Sequence, residues 1–251
     1  MSIPRTHPVV GVSVVGPGRL GRVLTRALRA AGVPVNGPVG RGEEIPPADV
    51  VLLCVPDAAI PAAARAAARS RLIGHTSGAT PIDGVDFGLH PLQTFTGDED
   101  PAVLHGIGCA VAGRTPDALA TATQLAELLG TRPFPLADEQ RSAYHAAASI
   151  ASNFLVTIED AAERMAASAG IPAARARAIL APLVHRTVEN WAEQGSAALT
   201  GPLVRGDEET VARQRSAVAA VPELLPLFDE LCERTRALAR EIRDARREDA
   251  A

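Results

Sequence analysis

The chain has 251 residues, 47% of them apolar, 22% charged and 3% aromatic, so a globular core has to be built from aliphatic side chains. A net charge of −4, with no basic cluster ahead of the last few residues, excludes a nucleic-acid groove. All 25 basic residues are arginine, which excludes every mechanism that needs a lysine: Schiff bases, Walker-type phosphate loops and a lysine general acid.

The N-terminus lacks the basic region, apolar run and cleavage site of a signal peptide. No apolar stretch approaches the roughly 18–20 residues that span a bilayer. A cytoplasmic protein without membrane contact is expected. The run PVVGVSVV, residues 8–15, is β-branched and predicts a strand. GPGRLG follows and places Gly16, Gly18 and Gly21 at the spacing G-x-G-x-x-G. RVLTRALRAAG then has helical periodicity, with Val23, Leu24, Ala27 and Leu28 on one side and Gly32 as C-cap.

Strand, glycine turn and helix in that order are the context of a dinucleotide-binding turn. The first glycine permits the tight turn, the second lets backbone approach a pyrophosphate, and the third lets the helix pack on the strand. The free N–H groups of the helix start would face the phosphates, and Arg19 and Leu20 join the candidate cofactor residues. VPVNG, residues 33–37, predicts the second strand. Arg41 follows near the position where NAD-binding proteins carry an acid, with Glu43 and Glu44 close behind. An arginine there suits a 2′-phosphate, so NADP is expected in preference to NAD.

ADVVLLCVPDAAI, residues 48–60, reads as a continuous buried strand ending in VPD, with an alanine-rich helix at 61–70. Further strands are predicted at 71–80 and 85–95, and strands at 106–113 and 132–136 flank a helix at 116–129. This alternation predicts an α/β domain over residues 1–137, a doubly wound parallel sheet with ligands over the strands' carboxyl ends. Val55, Pro56, Thr76 and Ser77 are placed there as cofactor candidates, with Asp57, His75 and Gln93 beside them. Pro91 holds His90 extended at a strand end, next to the expected nicotinamide pocket. His75 stands open between a site role and a structural one, and His7 and His105 read as bland. Cys54, Cys109 and Cys232 are widely spaced and form no metal-type pair, so they read as small buried hydrophobes and no metal site is expected.

From residue 138 the strand signal stops, and residues 138–251 predict an all-α domain. Residues 138–170 read as one long helix on which His145, Ser149 and Asn153 share a face, with Ser152 beside them. A polar stripe among Ala, Ile, Phe, Leu and Val suits a ligand-facing surface; the alternative is bonding back to the helix carbonyls. A helix at 172–194 ends near Asn190 and Trp191, and the stretch ALTGPLVRGD follows. Asp207 is a natural N-cap for the next helix, and PELLPLFDELCERTRALAREIRDARR closes the chain as a long amphipathic helix.

Together GPGRLGRVL, VPDAAI, HTSGA, LHPLQTF, ASNFLVT and ALTGPLVRGDEETV resemble a group of bacterial Rossmann-like proteins whose helical C-terminal domain has long been catalogued as of unknown function. The resemblance spans nearly the whole chain, and TGP followed by RGD is its most specific piece. Wider relatives are pyrroline-5-carboxylate reductases, F420-dependent NADP oxidoreductases and β-hydroxyacid dehydrogenases. The kinship implies an N-terminal Rossmann domain for NADP, a helical domain that forms a homodimer, and an active site in the cleft between them. Some members look like a second type of ketopantoate reductase, of the kind used in pantothenate biosynthesis. The usual type carries a lysine on its first C-terminal helix, which cannot be carried over here; Ser149 and Asn153 occupy the comparable stretch.

The function expected is therefore NADPH-dependent reduction of a small carboxylate-bearing keto acid, ketopantoate to pantoate first. His90, His145, Ser149 and Asn153 are the candidates for stabilising the developing alkoxide, with water as the proton source. Arg205 would grip the carboxylate, Asn190 and Thr200 would add hydrogen bonds, and Asp207 would orient Arg205 or cap its helix. Alternatives are an imine reductase or dehydrogenase of the pyrroline-carboxylate or prephenate kind, and a non-catalytic NADP-binding sensor.

Overall fold

A computed structural model describes Val9 and residues 11–248; His7 lies outside the described residues. In chain order the first elements are β1 (Val12–Val15), α1 (Arg19–Ala30), β2 (Val35–Val39), β3 (Val50–Leu53), α2 (Ile60–Ala66), β4 (Leu72–His75) and β5 (Phe87–Pro91). Then follow β6 (Gly108–Gly113), α3 (Pro116–Leu128), β7 (Arg132–Pro135) and α4 (Arg141–Ala151). The seven strands form one sheet in the order β2-β1-β3-β4-β5-β6-β7.

Side chains alternate across each strand, which assigns each residue to one of two cores. Val12, Val14, Val50, Leu52, Phe87 and Leu89 face α1 and α3, where Leu24, Leu28 and Leu125 meet them. Val15, Val51, Leu53 and Ala112 face the other way, onto Ile60 and Ala64 of α2 and onto Ile82 and Val85 of the loop before β5. Both faces are covered, so β3 reads as a continuous apolar run and β1 as one broken only by the buried Ser13, whose hydroxyl donates to the Pro46 carbonyl at 2.7 Å. The sheet is the doubly wound Rossmann type, and one detail departs from the all-parallel expectation. β5 and β6 pair antiparallel, and β7 follows β6 in parallel, so the last two strands run backwards. Only a 3-10 turn, Pro101–Leu104, lies between β5 and β6, so no helix carries the chain back across the sheet as a parallel crossover usually does.

Two other elements are shorter than the sequence predicts. The strand expected to run to residue 60 stops at Leu53, because Pro56 ends the extended run and Asp57–Ala59 turn into α2. The single helix expected over 138–170 is broken at Ser152, whose φ is −121° and ψ −68°. The Ser152 amide keeps its ladder bond to the Ala148 carbonyl at 3.1 Å, and Oγ adds a bond to the same oxygen at 2.8 Å, the back-bonding that bends helices.

The chain divides into two compact units between Asn153 and Phe154, past the boundary expected at residue 137. α4 belongs to the first unit because its base is tied to the sheet loops. Arg141 donates to the Ser77 carbonyl at 3.3 Å, and Asp138 accepts from the Ile82 amide at 3.1 Å.

The second unit holds α5 (Asn153–Ser168, whose first residue closes the first unit), α6 (Ala173–Gln194), α7 (Pro202–Arg205), α8 (Glu208–Val218) and α9 (Leu225–Glu248). Arg177 binds Glu163 through two bonds, at 2.6 and 2.8 Å, and so ties α6 to α5. Arg215 and Asp229 tie α8 to α9 in the same way, at 2.8 and 2.8 Å. These pairs are partly or well exposed and fix register more than they stabilise. The TGP stretch becomes a one-turn helix: Gly201 enters at φ +102°, Pro202 takes the first position and Gly206 leaves at φ +74°.

Candidate functional site

The turn after β1 is built by two packed glycines and one open one. At Gly16, φ is +107° and an added Cβ would lie 2.3 Å from the Cys54 carbonyl oxygen. At Gly21 an added Cβ would lie 1.9 Å from the Gly16 oxygen, so α1 crosses the turn in direct backbone contact. Gly18 caps α1 without a side-chain bond to its first amides, and a Cβ there would meet nothing within 4 Å. The first turn of α1 carries no acid. Backbone N–H groups, a positive helix end and unobstructed backbone therefore meet at one point, the chemistry that holds a phosphate.

That point opens into a cavity of about 610 Å³ lined by Gly16, Gly18, Arg41, Glu43, Val55 and Pro56, among others. It lies at the carboxyl ends of β1, β2 and β3, where chain order reverses on either side of β1, the usual ligand position in such sheets. The residues fit a dinucleotide. Arg41 is exposed and has no ion pair among the described residues. The Glu43 carboxylate accepts from the Gly40 amide at 2.6 Å. Burial pushes the Cys54 thiol up to about 12, so it is a neutral part of the wall.

Five of the expected cofactor residues do not line this cavity. Arg19 opens α1 exposed to solvent, Leu20 packs against the first core, and Gly21 is a packing glycine. Thr76 is buried and bonds the Leu53 carbonyl at 3.3 Å. The Ser77 hydroxyl donates to Asp57 at 2.9 Å and accepts from the amides of Ala79 and Thr80, so it holds the loop after β4.

A second cavity, about 500 Å³, opens at the end of β5 against α4. His90, Tyr144, His145, Ser149, Ser152 and Asn153 line it, so three of the expected catalytic residues, His90, Ser149 and Asn153, come together. Sequence reasoning missed Tyr144, the only tyrosine in the chain. His90 Nδ1 and the Tyr144 hydroxyl are 2.7 Å apart, and the two rings meet edge to face at 5.5 Å. The available signal was its place one residue before His145 on a predicted helix.

His75 is structural. It is fully buried, its Nδ1 accepts from the Ser77 amide at 3.2 Å, and its Nε2 therefore carries the proton given to the Pro81 carbonyl at 3.2 Å. Burial lowers its pKa, and burial with the nearby charges of His145 and Arg141 lowers that of His90 from 6.5 to about 4. Below pH 6.5 the unfolded chain therefore binds protons that the folded chain refuses. Stability is expected to be complete above that pH and to fall as the pH drops towards 4, by up to about 1.4 kcal/mol per pH unit for His90, with His75 acting in the same direction. Urea midpoints compared at about pH 7 and about pH 5 test this, and equal midpoints contradict it.

In the second unit, Asn190 and Thr200 line a separate cavity of about 540 Å³ with Trp191, Ser196 and Leu183. Arg205 and Asp207 are not among its lining residues. Arg205 ends α7, exposed and without an ion pair among the described residues. Asp207 caps α8 by accepting from the Thr210 amide at 3.0 Å, and that bond holds its carboxyl below the usual range. Of the two roles offered for Asp207, the cap is the one in place.

A family model described as a domain of unknown function (DUF2520) matches residues 107–235. No curated protein matches. Among solved structures, the chain is similar to protein TM1727 from Thermotoga maritima, with 24% identity, a TM-score of 0.75 and coverage of 92% of this chain and 99% of that one. It is similar to BF3122 from Bacteroides fragilis, provisionally named an NADP oxidoreductase, with 21% identity, a TM-score of 0.76 and coverage of 91% and 98%. A reductive aminase from Aspergillus terreus, solved with NADPH, is similar at 16% identity, with a TM-score of 0.62 and coverage of 90% and 93%. Likeness at these identities establishes the fold.

Proposed function

The chain belongs to the DUF2520 family, and on that footing we propose that it is an NADPH-dependent reductase of a small keto acid, ketopantoate first. The observation that carries the reading is the glycine cradle at the start of α1, opening onto a dinucleotide-sized cavity at the strands' carboxyl ends. Gly16 and Gly18 would take the pyrophosphate, and Val55 and Pro56 would form the opposite wall. Arg41 is the proposed partner of a 2′-phosphate: its charge is uncommitted among the described residues, while Glu43 is spent on the Gly40 amide. The reductive aminase solved with NADPH shares the fold and supports a nicotinamide dinucleotide as the ligand. NADPH, when bound, supplies a hydride. The chain's own contribution is the second cavity, where His90, Ser149 and Asn153 present hydrogen-bonding groups to a carbonyl.

The substrate roles of Asn190, Thr200 and Arg205 belong to the same proposal; each is read as a raised KM in its alanine variant. The proposed partner is a second copy of the chain, bound through the helical unit, where Val156, Leu183 and Trp191 are 71%, 63% and 61% exposed. Light scattering that finds a monomer rejects it.

The test is direct. NADPH and NADH are titrated, and loss of nicotinamide absorbance is followed with ketopantoate, pyrroline-5-carboxylate and other keto acids. Arg41→Ala is expected to weaken NADPH about tenfold or more while leaving NADH within about twofold. Equal loss for both cofactors would remove the 2′-phosphate assignment. Binding without turnover of any acid favours a sensor, and turnover of pyrroline-5-carboxylate favours an imine reductase.

A further inference from the structure

We propose that Tyr144 and His90 form a proton relay in which the Tyr144 phenol is the terminal donor to the substrate oxygen and His90 resupplies it, an inference that rests on the reductase reading. Reduction of a carbonyl consumes one proton, and a chain without lysine must deliver it through another group. Of the side chains lining the cavity at β5 and α4, the alcohols of Thr94, Ser149 and Ser152 are too weakly acidic to release one. The phenol and the imidazoles remain, and Tyr144 and His90 are already joined at 2.7 Å.

Both rings are held in place. Phe134 packs on Tyr144 at a centroid distance of 5.9 Å, and His90 meets Tyr144 edge to face. Gly78 keeps the far edge of the imidazole clear, since a Cβ there would stand 2.9 Å from His90 Nε2. One imidazole nitrogen thus faces the phenol and the other is free of side-chain crowding from Gly78, the arrangement that a relay by tautomer exchange needs.

The step balances as follows. As hydride reaches the carbonyl carbon, the C=O π pair moves to oxygen, which takes the Tyr144 proton. The phenolate oxygen takes the proton of His90 Nδ1, and Nε2 takes one from water. Tyr144 and His90 both end neutral, His90 in its other tautomer, and one solvent proton has been consumed. Burial, with the His145 and Arg141 charges, keeps His90 neutral at physiological pH; Asp57 opposes this, and His75 adds to it. Burial, with Cys109, pushes the phenol up to about 12, while Arg141 pulls it down. Both groups therefore rest neutral, with His90 Nδ1 donating to the phenol oxygen and the phenol keeping its own proton until an oxyanion forms.

Because Tyr144 is the only tyrosine, biosynthetic fluorotyrosine labels this position alone. In the cofactor-free protein, the fluorine resonance is expected to shift as His90 titrates towards about pH 4, and the shift should vanish in His90→Asn. In ketopantoate reduction, Tyr144→Phe should lower kcat about 100-fold, and His90→Asn, which can bond the phenol but not relay, about tenfold. Both should leave KM and the NADPH Kd within about threefold. Fluorotyrosine, a stronger acid in the same shape, should change kcat, which a purely structural hydrogen bond would not do. A resonance blind to His90, or an intact kcat in Tyr144→Phe, overturns the relay. If the wild-type protein reduces no acid offered, the reductase reading fails separately, and the fluorine titration still decides whether the two groups share a proton.

Discussion

Gly21→Ala is expected to cost the fold about 3 kcal/mol and to abolish dinucleotide binding with it. The added Cβ would stand 1.9 Å from the Gly16 carbonyl oxygen and 3.3 Å from Cys54 Cβ, so backbone rather than a flexible side chain has to give. Gly16 has little freedom to yield, because it sits at φ +107° with no room for even a Cβ beside the Cys54 carbonyl. The remaining movement is α1 sliding off the sheet, and that face carries Leu24 and Leu28, both fully buried. Gly18→Ala is the control. Its Cβ enters open space, so the fold should keep its urea midpoint while NADPH affinity falls about tenfold, because the methyl occupies the phosphate's approach. The pair separates a glycine needed for packing from one needed for a ligand. A wild-type midpoint in Gly21→Ala would contradict the packing, and unchanged NADPH affinity in Gly18→Ala would contradict the cradle.

The same turn shows what a sequence can reveal. Its strand and helix are each defined by local periodicity, and the glycine spacing joins them within six residues, Gly16 to Gly21. His90 was legible because Pro91 restricts it at a strand end. The reversed β6 was not, since a strand buried on both faces carries no mark of its direction; only the missing helix between β5 and β6 hinted at it. The break at Ser152 has neither glycine nor proline to announce it. Tyr144 and Arg141 were passed over for a different reason. The partner of Tyr144 lies 54 residues away, the Ser77 carbonyl bound by Arg141 lies 64 away, and within its own helix each looks ordinary.

Arg141 is where the second large effect is expected. Arg141→Ala should cost about 2 kcal/mol, from the void left by a buried side chain and the loss of its hydrogen bonds to a carboxylate and a carbonyl. The side chain is 3% exposed; Nε donates to Asp138 at 2.6 Å and Nη1 to the Ser77 carbonyl at 3.3 Å. Nη2 lies against Gly88, where a Cβ would stand 2.6 Å from it, so β5 is glycine here to admit the guanidinium. Alanine would leave a void over Gly88 and a Ser77 carbonyl without this donor, while Asp138, 32% exposed, recovers some water. Arg141→Lys should rescue little, because an ammonium cannot reach two acceptors with fork geometry. Arg213→Ala sets the scale: its pair with Glu209 is 66% and 83% exposed, and its loss should cost under about 0.5 kcal/mol. The functional consequence follows from position. Tyr144 is one helical turn beyond Arg141 on α4, so loosening that turn should lower kcat through the His90 contact. NADPH affinity should hold, because neither Arg141 nor α4 lines the cavity at β1 and β3. Equal midpoint shifts for the Arg141 and Arg213 variants would show that α4 is anchored by something other than this guanidinium, and the placing of Tyr144 against His90 would then need another cause.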